Sequence, residues 1–343
     1  MLTRLISHSL RSFDGVISRA WLAASGENSV LLAFAFHGLF ESQQEINHEI
    51  LDPQQGITVE MFRQFLEYFE QHDYQFVSVD DIQQGLKVGG RYLLLTFDDG
   101  YYNNLRALPI LEEFNAPAVF FVSTGHVKSG KAYWWDVLYR ERRKKSVSIT
   151  RVRRSQTRCK ILKTATVEDQ LRAEFGSRAL RPVCDLDRPF SIAELQKVAN
   201  HPLVTIGNHT QDHAILTNYS QEEVAAQIQG AQDDLFEWTG RSSNCIAYPN
   251  GNCSPEIEKT ALRAGLQLGV LAIEGSNPVS LVPGSRDAMN IKRFYLWRGS
   301  SIISQCDASR FRFSVRRGLL GLWQRRQAAN QDVNKTHEST SGI

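Results

Sequence analysis

The chain has 343 residues, 42% apolar and 22% charged, which argues against a disordered or fibrous protein and suffices for one large α/β domain or two small ones. A formal charge of only +2, from 39 basic and 37 acidic residues, argues against a nucleic-acid partner. Five widely spaced cysteines, at 159, 184, 245, 253 and 306, contain no CxxC pair and argue against a disulfide framework or a cysteine zinc site.

In chain order, residues 1–25 place Leu2, Leu5, Ile6 and Leu10 near helical spacing and predict an amphipathic segment, taken as 1–28. Arg4, His8, Arg11, Asp14 and Arg19 interrupt it, whereas a secretory leader needs an unbroken apolar core of about 7–15 residues. No run reaches the ~18 apolar residues of a membrane-spanning helix, so the expected location is cytoplasmic. Aromatic and apolar residues at 30–36 predict a strand, and 57–74 predicts a helix with Met61, Phe62, Phe65, Leu66 and Phe69 on one stripe. Strands are expected at 74–79, 91–97 and 116–123, with a helix at 103–114. Ser191 and Glu194 form a capping-box signature for a helix at 191–200, and 220–238 repeats that signature after a strand at 203–207. Strands at 244–249, 266–273 and 290–297 complete the set, with a helix at 254–264. This alternation implies a parallel sheet with helices outside, either closed into a barrel of seven or eight units or open and doubly wound.

Two segments stand apart. Residues 140–160 hold ten Lys or Arg against one acid, Glu141, and 127–190 reads as a basic insertion between core units. Residues 308–331 hold six Arg and no acid, interleaved with Leu319, Leu320, Leu322 and Trp323, ahead of a polar end with the composition of a disordered tail. Such runs are usually solvated faces; the sharper reading is attraction to an anionic membrane surface or an anionic substrate.

The candidate chemistry sits at strand ends. Asp98 and Asp99 follow the run Leu93-Leu94-Leu95 and precede Gly100, where parallel α/β proteins collect their active sites. Adjacent strand residues face opposite ways, so the two carboxylates are free to take different tasks, and a cation would relieve their repulsion. His209 and His213, four residues apart after another short strand, suit a divalent metal, and two His with one Asp leave a coordination position open for water. A third strand end, "IAYPNG" at 246–251, combines Pro249 and Gly251 in a turn able to aim the Asn250 N–H into the site. His37 ends the first strand on the same predicted rim. Tyr101, Tyr102, Trp134 and Trp135 are either sugar-stacking residues or packing beneath the insertion.

Taken together, "TFDDG" at 96–100 and "HTQDH" at 209–213 resemble the first and second motifs of the polysaccharide deacetylase family, the NodB-homology carbohydrate esterases, and "YPNG" at 248–251 resembles a weakened third. The usual arginine and aromatic around that proline are replaced by Ala247 and Asn250, and the late leucine-histidine motif is absent. "FAFHG" with His37 is similar to the N-terminal histidine motif of some members, and Arg293 matches the late arginine that steadies the base. Over residues 29–300 the resemblance implies a single catalytic domain, a deformed (β/α) barrel of seven strands, with 301–343 as a basic tail. It further implies Asp99, His209 and His213 around a divalent metal, zinc being the expected ion, with Asp98 as base and His37 as proton donor. The substrate would be an N-acetylated glycan. A metal-dependent hydrolase of a cyclic amide and a non-catalytic carbohydrate-binding relative are the alternative readings.

Overall fold

A computed structural model describes residues 29–310; the expected N-terminal helix and most of the basic tail lie outside the described residues. The described residues up to Arg298 make one compact unit, and helix Ile302–Arg310 falls outside it. No helix among the described residues is long and apolar enough to cross a membrane.

The strands are β1 (Val30–Phe36), β2 (Leu39–Phe40), β3 (Ile57–Thr58), β4 (Gln75–Phe76), β5 (Arg91–Phe97), β6 (Ala118–Val122), β7 (Val204–Asn208), β8 (Cys245–Ala247) and β9 (Leu268–Val270). Seven of them form one parallel sheet in the order β1-β5-β6-β7-β8-β9, with β4 beside the first half of β5; β2 and β3 pair separately. β1 is apolar throughout, and β5 is apolar but for Arg91 at its start and Thr96 near its end, because both faces are covered, as a parallel sheet between helix layers requires. Helix Val59–Glu70, capped by Thr58, lays its aromatic stripe on β1: Phe34 meets Phe65 at 4.7 Å and Phe36 meets Phe62 at 5.0 Å. The capping boxes at Ser191/Glu194 and Ser220/Glu223 both form, and the long helix Gln221–Thr239 ends at Gly240 with φ 73°.

The last expected strand, 290–297, is not a strand. Its backbone changes partner too soon for a ladder: Ile291 N–H donates to Gly269 O and Leu271 N–H to Ile291 O, then Phe294 N–H donates to Ala33 O and Ala35 N–H to Phe294 O. Those few bonds nevertheless link β9 to β1, the two ends of the sheet order. The result is a parallel sheet curled into a half-barrel with this segment across the gap, a deformed (β/α) barrel.

Between β6 and β7 lie helices Thr124–Ser129, Trp134–Lys144, Ile149–Cys159, Thr164–Phe175 and Ile192–Ala199. Trp134, Trp135, Val137, Leu138, Val167 and Leu171 give several of these a core of their own, which also takes in Tyr101. The basic run is more than a solvated face. Arg140 is buried against Asp187 and donates to the carbonyls of Ala179 and Arg181, Arg142 pairs with Glu174, Arg143 with Glu49 and Arg153 with Asp52. The five cysteines are free thiols.

Two stability outcomes follow from these contacts. Phe65→Ala should lower unfolding free energy by about 3–5 kcal/mol in urea titration, because Phe65 is fully buried between β1 and its helix. Arg188 grips Glu194 through two bonds of 2.8 and 2.9 Å and lowers its carboxyl to about 2 from an unfolded 4.5. The folded value is the depressed one, so the contribution is complete above pH 4.5 and lost as pH falls toward 2. The urea-midpoint difference between wild type and Glu194→Gln should therefore shrink across that window.

Candidate active site

Parallel register brings four strand ends to one rim. Phe36 pairs with Phe97, Val122 with Asn208, and Asn208 with Ile246, so His37, Asp98, His209 and Ala247 follow at neighbouring points. The Asp98 N–H donates to Phe36 O at 2.8 Å and the His209 N–H to Val122 O at 3.1 Å, extending the ladders by one residue into the site.

Asp98 and Asp99 go to different partners. The Arg293 guanidinium clasps Asp98 with bonds of 2.7 and 2.8 Å, and also donates to Thr96 Oγ1 at 2.9 Å and Leu271 O at 3.0 Å. Burial opposes ionisation of Asp98, but the fully paired Arg293 outweighs it and holds the carboxyl below the usual range. Thr96 lies two residues before Asp98 and so shares its face of β5. That period was a usable signal in the sequence, which pointed to Arg293 only through the family likeness.

Asp99 faces the histidines. Its Oδ1 lies 3.4 Å from Nε2 of His209 and 3.4 Å from Nε2 of His213, and one ligand atom from each residue falls within 4.8 Å of the others. His209 donates its Nδ1 proton to Ala247 O at 2.7 Å, so the neutral ring turns a bare Nε2 lone pair toward Asp99. Both Asp99 oxygens are buried without a hydrogen-bond partner. Acceptors converging in a buried place are costly unless a cation fills the gap. The residues therefore fit a divalent ion, and an oxygen with two imidazole nitrogens suits zinc or a similar borderline metal. Burial opposes the Asp99 charge, and a proton placed on Nε2 of a flanking imidazole draws the carboxyl below the usual range, as a bound cation would with both rings neutral. Burial likewise works against charge on His209, where Asp99 prevails and raises it, and on His213, where burial prevails and lowers it.

The local backbone is strained where the side chains converge. Asp99, Thr210, His213 and Asn250 have φ of 77°, 61°, 49° and 59°, a left-handed region that non-glycine residues rarely enter. Each of the first two is held by several bonds. Asp99 O accepts from the Ser123 N–H at 3.1 Å and from the Tyr133 hydroxyl. Thr210 N–H donates to Asn208 Oδ1 and Thr210 Oγ1 accepts from Ala214 N–H, both at 2.9 Å. Gly251, φ 74°, cannot carry a side chain, since a Cβ there would lie 2.5 Å from Ala272 N.

His37 and Asn250 stand on the same rim with other partners. His37 donates to Gln55 Oε1 at 2.9 Å, and its ring stacks near Tyr295. Asn250 is exposed, and its Oδ1 accepts from Lys160 Nζ of the insertion at 2.6 Å. The aromatic residues take the packing alternative. Tyr101, Trp134 and Trp135 are buried, Trp135 lies 4.4 Å from the His213 ring, and Arg188 covers the Tyr102 ring at 3.5 Å. Tyr133 and Gln55 carried no signal in the sequence, because each acts across a loop from a residue far along the chain.

A curled parallel sheet with one aspartate and two histidines converging at its carboxyl rim is the frame of a metal-capable hydrolase. The family profile described as "Polysaccharide deacetylase" matches residues 85–269, more than half of the chain, and the chain belongs to that family. Among solved structures, it is similar to a Streptococcus pyogenes deacetylase in complex with acetate, PplD, at 17% identity and a TM-score of 0.56, covering 82% of this chain and 99% of that one. A polysaccharide deacetylase from Bacillus cereus matches at 14% identity and a TM-score of 0.56 over 83% of this chain and 70% of that one. IcaB from Ammonifex degensii matches at 18% identity and a TM-score of 0.54 over 83% and 99%. These likenesses are of fold. No curated protein sequence matches the chain. Family membership supports hydrolytic deacetylation of a polysaccharide.

Calorimetric titration of the metal-free protein with zinc should show one site involving Asp99, His209 and His213. Asp99→Ala or His209→Ala should weaken it by more than the roughly 10–100-fold that loss of a mere supporting group produces.

Proposed function

We propose that the chain removes N-acetyl groups from an acetylated amino sugar in a polysaccharide or glycan precursor, with a divalent cation, zinc the expected one, held by Asp99, His209 and His213. The observation that carries this reading is the buried, unpartnered Asp99 carboxylate facing two imidazoles beside an arginine-clasped second carboxylate. A bound divalent cation supplies an acidified water and a counter-charge for developing negative charge on the acetyl oxygen.

Asp98 takes the proton released by the attacking water. Arg293, donating to both of its oxygens, fixes the carboxylate and keeps it ionised and ready to accept. His37 gives a proton to the amine as the C–N bond breaks, so the amino sugar departs neutral. The backbone N–H of Asn250 donates to the acetyl oxygen as its charge grows, a contribution of about 3–4 kcal/mol for such a donor. Residues 29–300 form the catalytic domain, with the insertion at about 127–190. The flanking segments 1–28 and 301–343 suit peripheral contact with an anionic membrane on the cytoplasmic side, a reading supported by their basic, amphipathic sequence.

Acetate release from N-acetylglucosamine oligomers tests the assignment. Asp98→Asn should bind zinc as wild type does and lose roughly 10²–10⁴-fold in kcat, the usual worth of a general base. Near-normal release by that variant would overturn Asp98 as base, and release only from cyclic amides would overturn the glycan substrate.

A further inference from the structure

The contact between His37 and Gln55 determines more than a hydrogen bond. Gln55 is 4% exposed, and its amide nitrogen donates to Ala35 O at 2.7 Å and Leu296 O at 3.2 Å. Two carbonyls use both N–H groups, and a flipped amide would set its oxygen against two acceptors. Gln55 Oε1 is therefore the atom that meets His37 Nδ1, 2.9 Å away, and an oxygen acceptor there requires the proton to be on Nδ1. The neutral ring is thus the Nδ1–H tautomer, with Nε2 left to exchange a proton with whatever enters the site.

The loop that brings Gln55 there is tied down on its other side. Asp52 is buried and accepts from Arg153 Nη2 at 2.7 Å and from Gln156 Nε2 at 2.7 Å, both on the insertion helix Ile149–Cys159. The Asp52 N–H donates to Asp136 Oδ1 at 3.0 Å, and the Gln54 N–H donates back to Asp52 Oδ1 at 3.0 Å. On the barrel side, the Arg298 N–H donates to Gln55 O at 2.9 Å. The loop is clamped between the insertion and the closing segment, so Gln55 has little room to turn away from His37.

We propose that Gln55 is a positioning residue for the deacetylation, holding the His37 ring as the Nδ1–H tautomer so that Nε2 carries the proton given to the departing amine, with the insertion securing Gln55 through Asp52. This rests on the reading of His37 as proton donor. In the step itself the C–N electron pair passes to nitrogen, the Nε2 proton follows it, and the imidazolium becomes the neutral ring that Gln55 already favours. A neutral amide suits this cycle because it orients the ring without binding the imidazolium as a carboxylate would.

Side-chain ¹⁵N NMR of the full chain tests the tautomer directly, with the His37 signal assigned by its loss in His37→Ala. Wild type should show neutral His37 protonated on Nδ1, and Gln55→Met should lose that preference. Wild-type His37 protonated on Nε2 would overturn the inference whatever His37 does in catalysis. Kinetics then compare N-acetylglucosamine oligomers with an aryl acetate, whose phenolate leaves without protonation. His37→Ala and Gln55→Met should both lose at least tenfold in kcat for the amide, with KM and aryl-ester turnover changed less than threefold. An unchanged amide kcat in His37→Ala would remove the proton-donor reading. A loss in His37→Ala without one in Gln55→Met would remove Gln55 alone. Should Gln55→Met not fold, the wild-type ¹⁵N shifts decide alone: neutral His37 protonated on Nδ1 supports the role, and protonation on Nε2 overturns it.

Discussion

Two adjacent carboxylates at the end of a buried strand repel each other, and the rest of the site is arranged around that repulsion. The chain leaves β5 after Phe97, and the left-handed turn at Asp99, φ 77°, sends the two carboxylates to different partners. Arg293 neutralises Asp98 through two bonds, while Asp99 is left with two imidazole nitrogens 3.4 Å away and no proton donor on either oxygen. One carboxylate is thereby tied to a fixed positive charge, and the other completes a place for a mobile one. Neither arrangement is stable in isolation. Without Arg293 a second buried charge would stand unpaired, and without Asp99 two imidazoles would converge on nothing.

Holding that arrangement requires backbone strain, and the surroundings supply the restraint. Asp99, Thr210, His213 and Asn250 occupy left-handed conformations, and the carbonyl of Asp99 is bonded from β6's successor Ser123 and from Tyr133 of the insertion. The insertion thus has a second role besides its own small core. Its aromatic residues back His213 through Trp135, and its basic helix ties down the loop bearing Gln55 through Asp52. The charge run at 140–160 is explained in good part by these buried and half-buried pairs, which is a structural use of charge that composition could not separate from a solvated face.

The half-barrel closes through very few bonds. Residues 291–294 bridge β9 and β1, and the same crossing delivers Arg293 to Asp98. Closure of the sheet and formation of the Asp98–Arg293 pair therefore depend on the same short segment. The alternation of polar and apolar residues at 290–297 reads as a strand because the segment does lie between two strands with alternate side chains facing in. It forms no ladder because it leaves β9 for β1 within about one pleat.

What the sequence determined by itself was local. Apolar runs at 30–36 and 92–95 identified buried parallel strands, Ser-x-x-Glu signatures located two helix starts, and strand-end positions singled out Asp98, Asp99, His209 and His213. Each signal is carried by residues a few positions apart, where periodicity and capping chemistry act. Tertiary structure alone decided how those segments meet: the Asp98–Arg293 pair joins residues 195 positions apart, and Gln55 joins carbonyls at 35 and 296 to the ring at 37. Such contacts depend on sheet register and on where loops return, and neither leaves a periodic trace in the chain. The same holds for Trp134 and Trp135, whose composition fits a sugar platform or a core equally well until packing assigns them to the core.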